Sequence, residues 1–168
     1  MKKTILLLLA LPFFLLSCKD ALDDVKSIGT FTSTITGDVE KQFDGTAAFV
    51  HTITSSGTDQ GSLLPIALSK VTDQSEAIGL GLANFLADGV KEGTYNFGNT
   101  ELIFLPTYVV DQANYSVPDP TKTNQVIITS LTDVRVKGSF EVNLIELTTQ
   151  KSVKIVGTFD ALGTTETK

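Results

Sequence analysis

The sequence predicts an all-β protein, most simply an antiparallel β-sandwich with a β-barrel as the alternative, after an N-terminal signal peptide. Val, Ile, Thr and Phe dominate the chain beyond residue 28, and Gly, Asn, Asp and Pro separate the apolar stretches. Many short strands with turn residues between them are typical of sandwiches and barrels. The sequence lacks the alternation of strand and helix patterns that would indicate a parallel sheet.

Residues 1–17 have the composition of a secretion signal. Two lysines precede the apolar run Ile5–Leu16, which is too short for a spanning helix of about 20 residues. The following Leu15-Leu16-Ser17-Cys18 resembles the lipobox of bacterial lipoproteins, in which the cysteine thiol receives a diacylglyceryl group. We therefore expect the mature chain to begin at Cys18 and to be anchored in a membrane by its N-terminal lipid.

The residues after the cysteine are expected to form a tether, over residues 18–28. Lys19–Asp24 is charged and has no strand pattern. This cluster is similar to the surface-export signals of Bacteroidota lipoproteins, and a plain solvated linker is the alternative. The expected location is the outer membrane, on the cell surface or on the periplasmic face. Residues 29–168 then form a single β domain.

Composition excludes several classes of partner. The chain carries 13 Lys and Arg against 19 Asp and Glu. Without the two signal lysines the balance is 11 against 19, a net charge of −8. Nucleic-acid binding needs a basic stripe, so no nucleic-acid partner is expected. Cys18 is the only cysteine, so the mature domain is expected to have no disulfide and no thiolate metal site.

The central part of the chain is expected to alternate strands and turns. The first strand should bury Phe31, Ser33 and Ile35 on one face. A turn-rich segment follows the second strand, and Leu82–Asp88 has a short helical turn as its alternative. The expected strands are Gly29–Thr36, Ala47–Thr54, Leu63–Val71, Ala77–Phe85, Glu101–Val110 and Gln125–Leu131.

The C-terminal part predicts a β-hairpin in which paired residue numbers sum to 297. Gly138 then faces Phe159, and Phe140 faces Gly157, so that each ring covers the gap left by the opposite glycine. The turn Thr148-Thr149 lacks the Gly or Asn of a tight hairpin. A register two residues away, with a four-residue loop, is the alternative.

The lipobox, the first strand and the C-terminal hairpin together resemble the small uncharacterised lipoproteins of Bacteroidota. In those proteins a Gly-x-Phe strand, a polar turn and a Gly-x-Phe-x-Ala strand close the domain, as in 138–140 and 157–161 of this chain. The resemblance implies an envelope-associated β domain without an assigned activity. It transfers no functional residues to this sequence.

Catalytic motifs are weak. His51 is the only histidine and is interpreted as a structural residue, because a triad or metal site needs further partners. Gly79–Asn84 lacks the third glycine of a dinucleotide loop. We therefore expect no cofactor, no metal and no enzymatic activity. The predicted function is a non-catalytic binding or structural module with a protein or glycan partner, and the alternative is a carboxylate-based glycan hydrolase.

The predicted binding site is the segment Asp111–Asn124, the longest without periodicity. Long loops on a rigid sheet concentrate binding residues. A connecting or disordered segment is the alternative. The candidate residues of this loop are Tyr108, Asp111, Tyr115 and Asp119.

Overall fold

A computed structural model describes residues 28–56, 59–70, 75–86, 89–100 and 102–168. The signal peptide, Cys18 and the tether up to residue 27 lie outside the described residues. Every regular element is a strand, which confirms the all-β prediction. Within these residues no helix is long and apolar enough to cross a bilayer. The strands are β1 (Thr30–Gly37), β2 (Lys41–Ser56), β3 (Asp59–Ser69), β4 (Glu76–Asn84), β5 (Gly93–Asn96), β6 (Leu102–Val110), β7 (Ala113–Pro118), β8 (Gln125–Leu131), β9 (Arg135–Glu146) and β10 (Ser152–Thr167).

The ten strands form one sheet in the order β1-β10-β2-β3-β4-β6-β7-β9-β8-β5. Two further pairings, β1–β2 and β10–β9, close a circuit through β1, β2, β3, β4, β6, β7, β9 and β10. A single sheet of this kind is compatible with both arrangements that the sequence left open. Strands β8 and β5 extend from β9.

One pairing makes the sheet mixed rather than purely antiparallel. Strand β1 is antiparallel to both β10 and β2, so these two long strands run parallel to each other. They meet directly beyond Thr30, the first residue of β1, from Leu162 opposite Ala48 to Thr167 opposite Ile53. This pairing is not predictable from local sequence patterns, because it joins strands that are over one hundred residues apart.

The alternating pattern of β1 is confirmed. Phe31, Ser33 and Ile35 are buried and the residues between them are exposed. The Phe31 ring packs edge-on against Phe43 of β2, with ring centroids 5.0 Å apart. Because successive side chains of a strand point to opposite faces, these inward residues join the single apolar core.

The predicted β9–β10 register is confirmed. Phe140 is paired with Gly157, and Gly138 with Phe159. Five residues, 147–151, connect the strands, so the predicted two-residue turn Thr148-Thr149 is wrong. The Glu146 carboxylate accepts hydrogen bonds from the backbone and hydroxyl of Thr149. These hydrogen bonds stabilise a turn whose sequence lacks the Asn-Gly pair typical of a tight hairpin.

Two predicted elements are wrong. Asp111–Asn124 is not one long loop, because it contains β7, which pairs with both β6 and β9. The alternative helical turn at Leu82–Asp88 is also wrong in its described part, since β4 continues to Asn84. After Asn84 the chain bends, and the Asn84 side-chain oxygen accepts a hydrogen bond from Leu86 N–H at 2.9 Å. This side-chain bond takes the place of a helical one.

Candidate functional site

The two tyrosines of the predicted binding loop lie in the core. Tyr108 is 0% exposed and Tyr115 is 3% exposed. They are cross-strand partners on β6 and β7, with ring centroids 5.7 Å apart. The connection between their strands is only Asp111-Gln112. Their rings therefore fill the interior and offer no surface to a partner.

Tyr108 belongs to a buried polar cluster. Its hydroxyl donates a hydrogen bond of 2.6 Å to Glu76 Oε1, and Lys41 Nζ lies 2.8 Å from the same oxygen. Burial, and then the adjacent Glu76, raise the pKa of Tyr108. The hydroxyl stays protonated and satisfies a carboxylate that is 7% exposed. The cluster stabilises one end of the sheet.

The two predicted acidic residues are not brought together. Asp111 lies in the turn before β7, and Asp119 lies directly after this strand. The Asp119 carboxylate accepts hydrogen bonds from the Thr121 N–H and hydroxyl, which lowers its pKa. The backbone oxygen of Asp119 accepts from Asn124. Asp119 therefore shapes a turn.

His51 points into the core on β2 and is 6% exposed. Burial lowers its pKa, and the charge of Asp133 opposes this shift. Its Nε2 has no hydrogen-bond partner among the described residues. The described part of the chain also contains no group of three His, Cys, Asp or Glu side chains that could hold a metal.

The main surface concavity follows the seam between β1 and β10. Its central part is a depression of about 340 Å³ over residues 32–34 and 156–158, bordered also by Gln42 and by residues 125, 127 and 139–141 of β8 and β9. A second depression of about 160 Å³ shares Thr32 and Thr158 with it. A third, of about 110 Å³, lies over residues 36–37 and 152–154 and is bordered also by Asp119, Lys122 and residues 143–145. We call this series the β1–β10 groove.

Hydroxyl and amide groups line the middle of the groove, together with the Glu141 carboxylate and apolar side chains such as Val156. The outward residues of β1 are threonines at every second position, from Thr30 to Thr36. The hydroxyl oxygens of Thr32 and Thr158 are 3.3 Å apart. The Thr34 hydroxyl donates to Gln42 Oε1 at 3.0 Å. The sequence showed this threonine alternation but not that β10 would lie beside it.

Ion pairs flank the groove on β9 and β10. Arg135 donates two hydrogen bonds to the Asp160 carboxylate, at 2.6 and 2.7 Å, and Lys137 lies 3.3 Å from it. These cations lower the pKa of Asp160, chiefly through the Arg135 hydrogen bonds. Glu141 is paired with Lys154 at 2.8 Å. The lowered pKa of Asp160 is the opposite of what a general acid needs.

The groove has no free sheet edge. Strand β1 is paired with β10 on one side and with β2 on the other. An extended peptide therefore cannot add to β1 by backbone pairing. A ligand of the groove must be recognised by side chains.

Comparison with known proteins adds no family to this description. The sequence matches no protein-family model, and neither a curated protein nor a solved structure is significantly similar to it.

Proposed function

We propose that this protein is a lipid-anchored, non-catalytic module of the bacterial cell envelope that binds a neutral glycan in the β1–β10 groove. The observation that carries the proposal is the groove itself, a depression of about 340 Å³ with hydroxyl and amide groups in its lining and with continuations along the same seam. Ligand sites are concavities of roughly 300–1,000 Å³ with a few well-placed polar groups.

The lining chemistry favours a hydroxyl-rich ligand. The threonine hydroxyls and the Gln42 amide can both donate and accept hydrogen bonds, as sugar hydroxyls do. The elongated shape suits a chain of several sugar units. The described groove exposes no aromatic ring for stacking, since Phe140 beneath its floor is 3% exposed. We therefore expect weak affinity, on the order of 1 mM.

The hydrolase alternative receives less support from this geometry. Glycosidases need one carboxyl group with a raised pKa opposite a second carboxylate. Glu141 lines the groove but is paired with Lys154. The Asp160 carboxyl has a lowered pKa. Binding without hydrolysis is the function that these residues favour.

The proposed membrane anchor is tested by replacing Cys18. In the Cys18→Ala protein no acyl group can be attached, so we expect the protein to move from the membrane fraction to the soluble envelope fraction. Radiolabelled palmitate should label the wild type and not the variant. A variant that stays membrane-bound would contradict the lipid anchor.

Glycan binding is tested by titrating unbranched neutral hexasaccharides of glucose, mannose, xylose and N-acetylglucosamine. The readout is the shift of backbone amide resonances, which works at millimolar affinity. At least one sugar should shift the amides of Thr32, Thr34 and Thr158. Thr32→Val with Thr158→Val keeps the β-branched shape but removes two hydroxyls, and should weaken binding about tenfold.

Thr107→Val is the matched control, because Thr107 is an exposed, outward threonine of β6 that does not line the groove. It should leave the affinity unchanged. Equal affinity of the double variant and this control would contradict the groove as the binding site. Release of reducing ends during the titration would instead support a hydrolase.

A further inference from the structure

The outer surface of β3, β4 and β6 carries an apolar, uncharged patch. Leu63 is opposite Ala83, which is opposite Ile103, and Pro65 is opposite Gly81, which is opposite Leu105. These six residues border a depression of about 260 Å³, and we call them the apolar face. Leu105 is 59% exposed and Leu63 is 45% exposed.

The outward side chains differ in charge between the two sides of the molecule. The outward positions of β9 and β10 carry the ion pairs Lys137–Asp160 and Glu141–Lys154. The next row beside the apolar face, Ala67, Gly79 and Thr107, is also uncharged. A surface strand that faces water on one side normally alternates apolar and polar residues. The apolar face breaks this rule over three neighbouring strands, which indicates a surface with an apolar partner.

An occupant of the middle of this face must lie on it, because the strands there are paired on both sides. Strand β3 is paired with β2 and β4, and β4 with β3 and β6. Strand β6 is paired with β7 only from Tyr108 to Val110, and among the described residues its earlier part pairs with β4 alone. Contact over β3 and β4 must therefore come from burial of side chains such as Leu63.

The area is small for an interface between free proteins. Three strands spaced about 4.8 Å apart and five residues long give a face of roughly 250 Å². A stable interface buries about 800 Å² on each partner. A second copy of this chain would therefore not be held by the apolar face alone. A partner kept nearby by a covalent tether does not need this area, because tethering raises its effective concentration to the millimolar range.

The tether joins the sheet at the start of β1, which is separated from β3 by β2. The Gly29 carbonyl accepts a hydrogen bond of 2.9 Å from Ala47 N–H, and the next residue, Ala48, is paired with Ala67 of β3. Ten peptide units separate Cys18 from Ile28, a span of at most about 36 Å. Acyl chains on Cys18 would thus hold the bilayer within reach of the face.

We propose that the apolar face docks onto the lipid bilayer in which the Cys18 acyl chains are inserted; this inference rests on the proposed lipid anchor. Docking would bury Leu63, Ile103 and Leu105 at the boundary between the lipid headgroups and the acyl chains. It would bury no charged residue, because the face contains none. It also orients the molecule. In the closed circuit of strands, β4 and β6 lie opposite β10 and β1, so the β1–β10 groove points away from the bilayer.

The test uses tryptophan as a depth probe, because the sequence contains none. Leu105→Trp places the probe on the apolar face. Val156→Trp is the matched control, since Val156 is an outward residue of β10 that is 43% exposed. The full chain, lipidated in cells and purified, is reconstituted into neutral phosphatidylcholine vesicles with or without brominated acyl chains. Flotation of the vesicles measures anchoring independently of fluorescence.

We expect both variants to float, with only the Leu105→Trp protein showing a blue-shifted emission that brominated lipid quenches. Adding Leu63→Asp to Leu105→Trp should reverse the shift. Flotation with no quenching, or with equal quenching of both probes, would overturn the docking and leave the anchor intact. A shift that grows with protein density without lipid quenching would show a second copy on the face and also overturn it. Loss of flotation would overturn the anchor, and the docking with it.

Discussion

The ring of Phe140 lies over Gly157, its partner across the β9–β10 hairpin. A methyl group at Gly157 would stand 2.8 Å from Cζ of Phe140 and 2.7 Å from the Thr32 carbonyl oxygen. The reciprocal pair has the same geometry, since a methyl at Gly138 would lie 2.7 Å from Cζ of Phe159. The two rings are 6.4 Å apart. Two aromatic side chains thus cover two strand glycines, and this packing agrees with the register of the strand pairing.

Gly157→Ala should therefore destabilise the protein. The added methyl group must displace both a ring and a backbone oxygen, and overpacking of this kind costs about 1–3 kcal/mol. Gly81→Ala is the control, because its nearest atom, the Leu105 carbonyl oxygen, is 3.3 Å away, and its cost should stay within about 0.5 kcal/mol. Urea unfolding of the two variants gives the comparison. Equal free energies of unfolding would contradict the ring-over-glycine packing.

Tyr108→Phe tests whether Tyr108 is structural. The substitution removes the hydroxyl that donates to the buried Glu76 carboxylate. Hydrogen bonds to charged groups contribute about 1.5–3 kcal/mol, and we expect a loss in the free energy of unfolding of that size. Tyr95→Phe is a comparison at neutral partners, because the Tyr95 hydroxyl donates to the Lys91 carbonyl and accepts from the Lys91 N–H. Each of these neutral hydrogen bonds should contribute less, about 0.5–1.5 kcal/mol. A stable Tyr108→Phe protein would contradict the cluster as described.

The sequence predicted the β9–β10 hairpin because glycines and aromatic residues mark its register directly. It also predicted the buried face of β1, where Phe31, Ser33 and Ile35 alternate with threonines. Both predictions depend on residues within one strand or one hairpin. Such local patterns can be recognised in the sequence because they do not depend on how distant parts of the chain are arranged.

The wrong predictions concern features that local sequence patterns do not reveal. Strand β7 was hidden because the turn before it, Asp111-Gln112, has neither Gly nor Asn, and because Pro118 suggested a loop. The prediction of Tyr108 and Tyr115 as binding residues is wrong for the same reason. The groove and the apolar face could not be predicted, since each combines strands that only the folded chain brings together. The alternating threonines of β1 are the signal of the groove that the sequence contains.

The β6–β7 turn itself supports a prediction. Asp111 and Gln112 have φ angles of 46° and 72°, a left-handed conformation that costs most residues roughly 1–2 kcal/mol. Asn-Gly is the preferred pair for such a turn. The double substitution Asp111→Asn with Gln112→Gly should stabilise the protein by about 1 kcal/mol. Thermal unfolding measures the change, and Asp133→Asn with Val134→Gly, in an exposed turn without positive φ, is the control. A loss of stability in the Asp111 and Gln112 variant would contradict the turn geometry.

The buried His51 should make stability depend on pH near neutrality. Burial lowers its pKa below the ordinary value of 6.5, against the smaller opposing effect of Asp133. The unfolded chain then binds more protons than the native protein once the pH falls below about 6.5, so stability is full above this pH and decreases below it. One histidine contributes a slope of at most about 1.4 kcal/mol per pH unit. Asp119, Glu146 and Asp160 titrate lower, since their ordinary pKa values are 3.8–4.5.

The measurement is the free energy of unfolding in urea between pH 5.5 and pH 8, for the wild type and for His51→Gln. The wild type should lose stability towards pH 5.5. His51→Gln cannot titrate in this interval, so its curve should be flat even if its overall stability is lower. Comparing slopes rather than absolute values separates proton binding from any packing defect of the variant. Equal slopes in the two proteins would show that His51 is protonated as readily in the fold as in water, and the buried position of its ring would then be wrong.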